Sequence, residues 1–167
     1  VVTLAVCLAA ISLLSACSEN AGDNADAGRL DRIREHGVLR VVTRNAPTSY
    51  YLNRHKQAAG PEYALTSAFA AHLGVNVEYT VKDSIHGVLE ALARGKADLA
   101  AAGLSVTPAR RERFRFTHAY QNVRPQVVCN AKSTRPQNIA QLADVSLTVI
   151  ADSSYAERLN ELKQTHP

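Results

Sequence analysis

Gly103-Leu104-Ser105-Val106-Thr107-Pro108-Ala109-Arg110 is the stretch of this 167-residue chain best equipped to hold a small anion. A strand ending at Gly103 and a helix opening at Pro108 leave backbone N–H groups at the junction, pointing toward an anion. Gly103 lets a ligand approach the backbone closely. The hydroxyls of Ser105 and Thr107 can donate or accept. Arg110 offers a planar fork that matches a carboxylate. The alternative for Arg110 is a solvated charge in the run Arg110, Arg111, Arg113, Arg115. Tyr50 and Tyr51 lie in a loop after a strand, where a ring either walls a ligand or simply packs. Ser153 and Ser154 precede a helix and serve either as ligand-binding hydroxyls or as N-caps.

Other chemistries find less support. Glycoside cleavage needs at least one carboxyl held protonated in a cleft. Glu62, Glu90, Glu112, Glu157 and Glu161 read instead as ordinary solvated charges on helices or turns. There is no Gly-x-Ser-x-Gly, no His-Glu-x-x-His and no phosphate loop. The six histidines are scattered, and Cys7, Cys17 and Cys129 have no Cys-x-x-Cys spacing, so neither a metal nor any other cofactor is expected. Cys129, between Val128 and Asn130, reads as a small buried hydrophobe.

The elements that must position these residues follow from periodicity. Leu30 and Ile33 sit at helical spacing, and Gly37 closes that short helix. Val38 to Thr43 reads as a strand, and Asn45 to Gly60 as a loop. Pro61 opens a helix whose apolar stripe is Leu65, Phe69, Ala70 and Leu73, with Gly74 ending it. Val75 to Val81 alternates as a strand. Asp83 or Ser84 caps a helix carrying Ile85, Val88, Leu89 and Leu92, and Asp98 to Ala102 follows as a short strand. Val123 to Asn130 and Leu147 to Ala151 are further strand candidates. Between them Ile139 to Leu142 forms a helical turn, and a last helix runs through Leu159 and Leu162. Strand and helix alternate, which predicts an α/β fold with a parallel sheet and right-handed crossovers.

Composition agrees. The chain is 46 % hydrophobic and 20 % charged, which excludes a wholly disordered chain, a collagen and a coiled coil. Its net charge is only +4, so nucleic-acid binding would need that charge gathered on one face, and none is expected. Residues 1–16 carry no charge and are too short for a comfortable membrane span of about 20 residues. They read as the apolar part of an export signal that lacks its usual basic start. Leu14-Ser15-Ala16-Cys17 resembles the lipobox of bacterial lipoproteins, in which Cys17 takes the lipid; Ser18 after it resembles an outer-membrane sorting signal. Residues 18–28 hold no large apolar residue and read as a flexible tether.

Further segments carry a resemblance. They are Gly37-Val38-Leu39-Arg40-Val41, Gly60-Pro61-Glu62-Tyr63-Ala64-Leu65, Leu73-Gly74-Val75, Gly95-Lys96-Ala97-Asp98-Leu99 and Gly103 to Arg110. In this order and spacing, residues 30 to 167 resemble the family 3 solute-binding proteins, which have the type 2 periplasmic-binding fold and capture amino acids and other small polar ligands. Arg44-Asn45-Ala46-Pro47-Thr48-Ser49-Tyr50-Tyr51, Arg113-Phe114-Arg115-Phe116 and Ser153-Ser154-Tyr155-Ala156-Glu157-Arg158-Leu159 are similar to the N-terminal module of the membrane-bound lytic murein transglycosylase F family.

The resemblance implies a complete or nearly complete first lobe at 30–122, a crossing strand at 123–131 and a truncated second lobe at 132–167, after a signal peptide at 1–16 and a tether at 17–29. It implies a lipid-anchored module on the periplasmic side of the outer membrane. That module would bind an amino-acid-like or peptidoglycan-derived solute and regulate a murein-cleaving domain lying past Pro167, with no catalytic residue in this chain. The competing readings are an amino-acid-binding lipoprotein of an ABC transporter and an interaction protein without a ligand. On the family's ligand positions fall Ser105 and Arg110; its aromatic wall falls at Tyr50 or Tyr51, and its second-lobe hydroxyls at Ser153 and Ser154. Two departures stand out. Ala109 replaces the usual acidic residue, and Asp152 replaces a usual Gly. A carboxylate at Asp152 would oppose a ligand carboxylate by about 4 kcal/mol at 4 Å and an effective dielectric of 20. The second lobe, with one strand and one helix, is expected to stay partly wet.

Overall fold

The computed structural model describes residues 21–133 and 135–165, with side chains from Gly28 onward. The expected signal at 1–16 and the lipid site Cys17 lie outside the described residues. Helix α1 spans Ala21–His36 and delivers the chain into β1, Val38–Thr43. A small hairpin follows, β2 at Tyr51–Leu52 and β3 at Ala58–Ala59. Helix α2 runs Pro61–Leu73, β4 Asn76–Val81, α3 Ile85–Ala93, β5 Leu99–Ala100 and α4 Pro108–Arg111. A 3-10 turn at Ala140–Asp144 and helix α5, Ser154–Thr165, complete the described elements.

The main sheet is parallel, in the order β4-β1-β5. β1 pairs along its whole length with β4, from Val38 opposite Asn76 to Thr43 opposite Val81, and on its other edge sets Val41 opposite Leu99. A central strand covered on both faces must be apolar almost throughout, which is why β1 reads Val-Leu-Arg-Val-Val-Thr rather than alternating. Successive side chains point to opposite faces. Leu39 and Val41 join Ile33 of α1 and Ala70 of α2 on one side. Val42 joins Val88 and Ala91 of α3, with Ala97 and Ala102, on the other. Ser84 caps α3 by accepting the Gly87 N–H at 3.0 Å.

Several segments differ from the sequence-based expectation. Helix α1 begins at Ala21, inside the stretch expected as a tether. Residues 45–60 hold the β2–β3 hairpin rather than only loop, because Asn53 nucleates its turn: its side-chain oxygen accepts the N–H groups of His55 and Gln57 at 2.8 and 3.0 Å. On α2 the buried face is Glu62, Thr66 and Ala70, while Leu65 and Phe69 are exposed. Tyr79 of β4 draws that face inward: its hydroxyl lies 2.7 Å from Thr66 Oγ1 and 3.0 Å from Ser67 Oγ, and it donates to the Tyr63 carbonyl. Neither Val123 to Asn130 nor Leu147 to Ala151 is a strand. β-branched residues favour extended backbone, but a strand also needs a hydrogen-bonded neighbour, and among the described residues these segments have none. Val128 is accordingly 95 % exposed, and Val149 and Ile150 are exposed too.

Candidate functional site

The site forms where β5 ends, at the carboxyl edge of the parallel sheet, the edge where open α/β sheets bind ligands. Gly103 adopts φ +65°, and a Cβ there would sit 3.4 Å from Ser49 Oγ. Its N–H donates to Glu62 Oε2 at 2.7 Å. Glu62 lies in the first turn of α2, where the helix dipole favours a negative charge. The Tyr120 hydroxyl donates to the other oxygen, Oε1, at 2.7 Å. Glu62 is therefore no solvated surface charge: it is 6 % exposed and ties three segments together. A buried carboxylate is tolerable because donors satisfy both of its oxygens.

Burial, the hydrogen bond to Glu62 and the charge of Glu62 push the Tyr120 phenol up to about 12. A raised folded-state value means that the stability it confers is fully present below the ordinary phenol value of 10 and is lost as pH rises through about 12. Stability should thus fall between pH 10 and 12, and spectrophotometric titration should show a late phenolate component that Tyr120→Phe removes. A titration curve unchanged by Tyr120→Phe would disprove the assignment.

Arg110 is the second centre, 5 % exposed although it belongs to the shortest helix. Thr107 caps α4, its Oγ1 accepting the Arg110 N–H at 3.3 Å. The guanidinium donates from Nη1 to the Ser105 carbonyl at 3.1 Å and from Nη2 to the Asp152 carbonyl at 2.9 Å. Nη2 also pairs with Glu157 Oε1 of α5 at 2.9 Å. Ser154 Oγ donates to Ser105 Oγ at 3.0 Å. Ser153, 3 % exposed, accepts the Ala156 N–H at 3.2 Å and caps α5.

The structure thus joins Ser105, Thr107, Arg110 and Ser154 in one hydrogen-bonded group, with Ser153 beside it. Tyr50 is not part of that group. It packs on Tyr63 and Tyr79, ring centroids 5.9 and 5.4 Å away. Tyr51 lies exposed in β2. The carboxylate expected near Arg110 comes from Glu157 rather than Asp152. Asp152 is exposed, meets Arg110 through its backbone carbonyl, and holds φ 55°, a left-handed conformation that favours glycine.

Sequence reasoning missed Glu62, Ser49 and Glu157. Among the described residues, Arg44 Nε, Ser49 Oγ and Arg110 Nε are buried without a hydrogen-bond partner. Buried polar atoms nearly always find partners, so such atoms beside a polar group mark places a ligand's polar atoms can satisfy. Glu62 and Ser49 each stood inside a segment that carries the family resemblance, and Glu62 also follows Pro61 at a helix start, but nothing local marked either as buried.

The sequence profile of the bacterial extracellular solute-binding proteins, family 3, matches residues 39–166. Membrane-bound lytic murein transglycosylase F 2 of Alkalilimnicola ehrlichii is 45 % identical over 157 residues, covering 93 % of this chain and 34 % of the relative. Membrane-bound lytic murein transglycosylase F of Maricaulis maris is 39 % identical over 159 residues, covering 95 % and 35 %. The chain spans about a third of the length of these curated relatives. A crystal structure of the YckB protein of Bacillus subtilis superposes with a TM-score of 0.51 at 29 % identity, over 54 % of this chain and 37 % of that one. The profile covers most of the chain, and the parallel sheet with a polar site at its carboxyl edge is what such a fold provides: the chain belongs to the bacterial extracellular solute-binding proteins, family 3, with the type 2 periplasmic-binding fold.

Proposed function

We propose that the chain is the solute-binding, regulatory module of a lipid-anchored lytic murein transglycosylase on the periplasmic face of the outer membrane. In this reading 30–122 is the first lobe, 123–131 leads out of it, and 132–167 begins the second. The ligand is a small polar solute, an amino acid or a peptidoglycan-derived fragment, held at Gly103, Ser105, Thr107 and Arg110 and closed over by Ser153 and Ser154. The observation that carries the reading is the buried Arg110, bonded to both Ser105 and Asp152 and still holding an unpartnered Nε–H. Glu157 stands at Nη2 as a ligand carboxylate would. A ligand carboxylate competes with it, and occupancy is thereby felt by α5.

Calorimetry with murein-derived peptides and with free amino acids tests the proposal. Binding of murein peptides supports it. Binding of free amino acids alone keeps solute capture at this site but favours a transport receptor over a transglycosylase module, and no heat from either class refutes ligand capture. The anchor has its own test. Labelling cells with a radioactive fatty acid should mark the wild type and spare Cys17→Ser; equal incorporation would remove the lipid from the proposal.

A further inference from the structure

A second arginine stands at the carboxyl edge of the sheet. Arg44 follows β1 directly, and β1 runs parallel to β5. The Val42 carbonyl accepts the Ala101 N–H at 2.9 Å, and the Thr43 hydroxyl donates to the Ala101 carbonyl. Arg44 therefore leaves β1 beside the stretch that leads into Gly103, one strand spacing of about 4.8 Å away. The loop then folds back. The Ala46 N–H donates to the Tyr50 carbonyl at 2.9 Å and the Ser49 N–H to the Ala46 carbonyl at 3.0 Å. That turn sets Ser49 Oγ 3.4 Å from where a Cβ on Gly103 would lie. The loop of Arg44 is thus closed against Gly103, from which Ser105 and Arg110 follow.

Arg44 differs from the solvated arginines 111 and 113. It is half-buried, with Nε shut off from water, and among the described residues its side chain has neither a hydrogen bond nor an ion pair. Lys82, whose N–H donates to the Thr43 carbonyl at 2.8 Å, places another cation beside it in the fold. The buried carboxylate nearby is already engaged: Glu62 accepts from Gly103 and Tyr120. Glu157 is held by Arg110, while Asp83 and Asp152 are exposed and pair with neither Arg44 nor Lys82. Nor can the Gly103 N–H receive an anion here, since it is committed to Glu62. A guanidinium with a buried, unbonded N–H gains most from an acceptor that arrives with the ligand.

We propose that the solute site takes ligands with two carboxylates, one at Arg110 and the second at Arg44. The proposal rests on the solute-capture reading and narrows its ligand class. A carboxylate offers Arg44 two acceptors, whereas an amide in the same place offers one and turns N–H donors toward the cation.

Calorimetry on the full chain with acid and amide pairs tests this: glutamate with glutamine, and alanylglutamate with alanylglutamine. In at least one pair the wild type should bind the acid about tenfold or more tightly than its amide, the yield of one charge-assisted contact. Arg44→Gln should bring that pair to within about twofold, the range of a solvated charge, while keeping its affinity for the amide. Arg44→Lys should restore part of the preference, because it returns the charge without the fork. Arg110→Ala should weaken acid and amide alike. The amide reports folding and capture within each variant; should Arg44→Gln lose both ligands, an undiminished preference in Arg44→Lys overturns the proposal. Equal binding of acid and amide by the wild type, or a preference that survives Arg44→Gln, also overturns it and leaves solute capture standing. A wild type that binds no member of either pair overturns both.

Discussion

Arg110→Ala should detach α5 from the first lobe and abolish solute capture in the same step. The substitution removes the bonds to Ser105 and Asp152 and the ion pair with Glu157. Breaking a buried ion pair from one side costs about 3–5 kcal/mol. Glu157 is 31 % exposed and regains water, so a loss near 3 kcal/mol is expected. Arg111→Ala and Arg113→Ala provide the comparison. Both arginines are exposed, and Arg113 rests on the Phe114 ring at 5.3 Å, an interaction worth about 0.5–1 kcal/mol. Urea denaturation should separate Arg110 from the other two, and limited proteolysis should cut residues 135–165 faster in Arg110→Ala alone. Calorimetry should show loss of solute binding in the same variant. Equal behaviour of the three variants would return Arg110 to the solvated run from which sequence could not fully separate it.

Gly60→Ala should be at least as damaging, although Gly60 lies outside the hydrogen-bonded group around Arg110. Gly60 has φ 128° and ψ 156°, a region that is essentially reserved for glycine. A Cβ there would lie 2.3 Å from the Ser49 carbonyl oxygen and 2.8 Å from its carbon. Both are backbone atoms, so no side-chain rotation relieves the overlap. The cost should reach about 3 kcal/mol or more. It should also spread, because the Ser49 carbonyl accepts the Tyr63 N–H and Glu62 lies between Gly60 and Tyr63. Moving that turn draws the Glu62 carboxylate off Gly103. Gly28→Ala is the control: nothing lies within 4 Å of its Cβ, and within a helix Ala gains roughly 0.5–1 kcal/mol over Gly. A thermal melt in which Gly60→Ala and Gly28→Ala match would refute the argument.

What could be read from sequence was what local periodicity and capping decide. The unbroken apolar run of β1, Pro61 opening α2 and Ser84 capping α3 are each local events, and each stands in the structure. The bonding of Arg110 to Ser105 and Thr107 depends on residues close in the chain, which is why that stretch stood out in the sequence. What escaped depends on partners distant in the chain. Leu65 and Phe69 outrank Glu62 and Thr66 on any hydropathy scale, yet the latter pair is buried, since Tyr79, Gly103 and Tyr120 supply hydrogen bonds from 12 or more residues away. The extended segments around Val128 and Val149 failed as strands for the converse reason: propensity was present and pairing was not. Glu157 read as solvent-facing because nothing local reveals that Arg110 lies opposite.

The tyrosine cluster has an optical consequence. The chain has six tyrosines and no tryptophan, so its intrinsic fluorescence is tyrosine emission. Tyr50, Tyr63 and Tyr79 lie with ring centroids 5.2 to 5.9 Å apart, close enough to pass excitation among themselves. Energy transfer among them should depolarise their emission while α2 and β4 stay packed, and separation of the two should end that transfer. Tyr120, whose hydroxyl donates to the Glu62 carboxylate, is expected to emit weakly. The efficiency of that transfer therefore follows the packing of α2 on β4, and Tyr155 of α5, next to Ser154, is the tyrosine placed to report solute at Arg110.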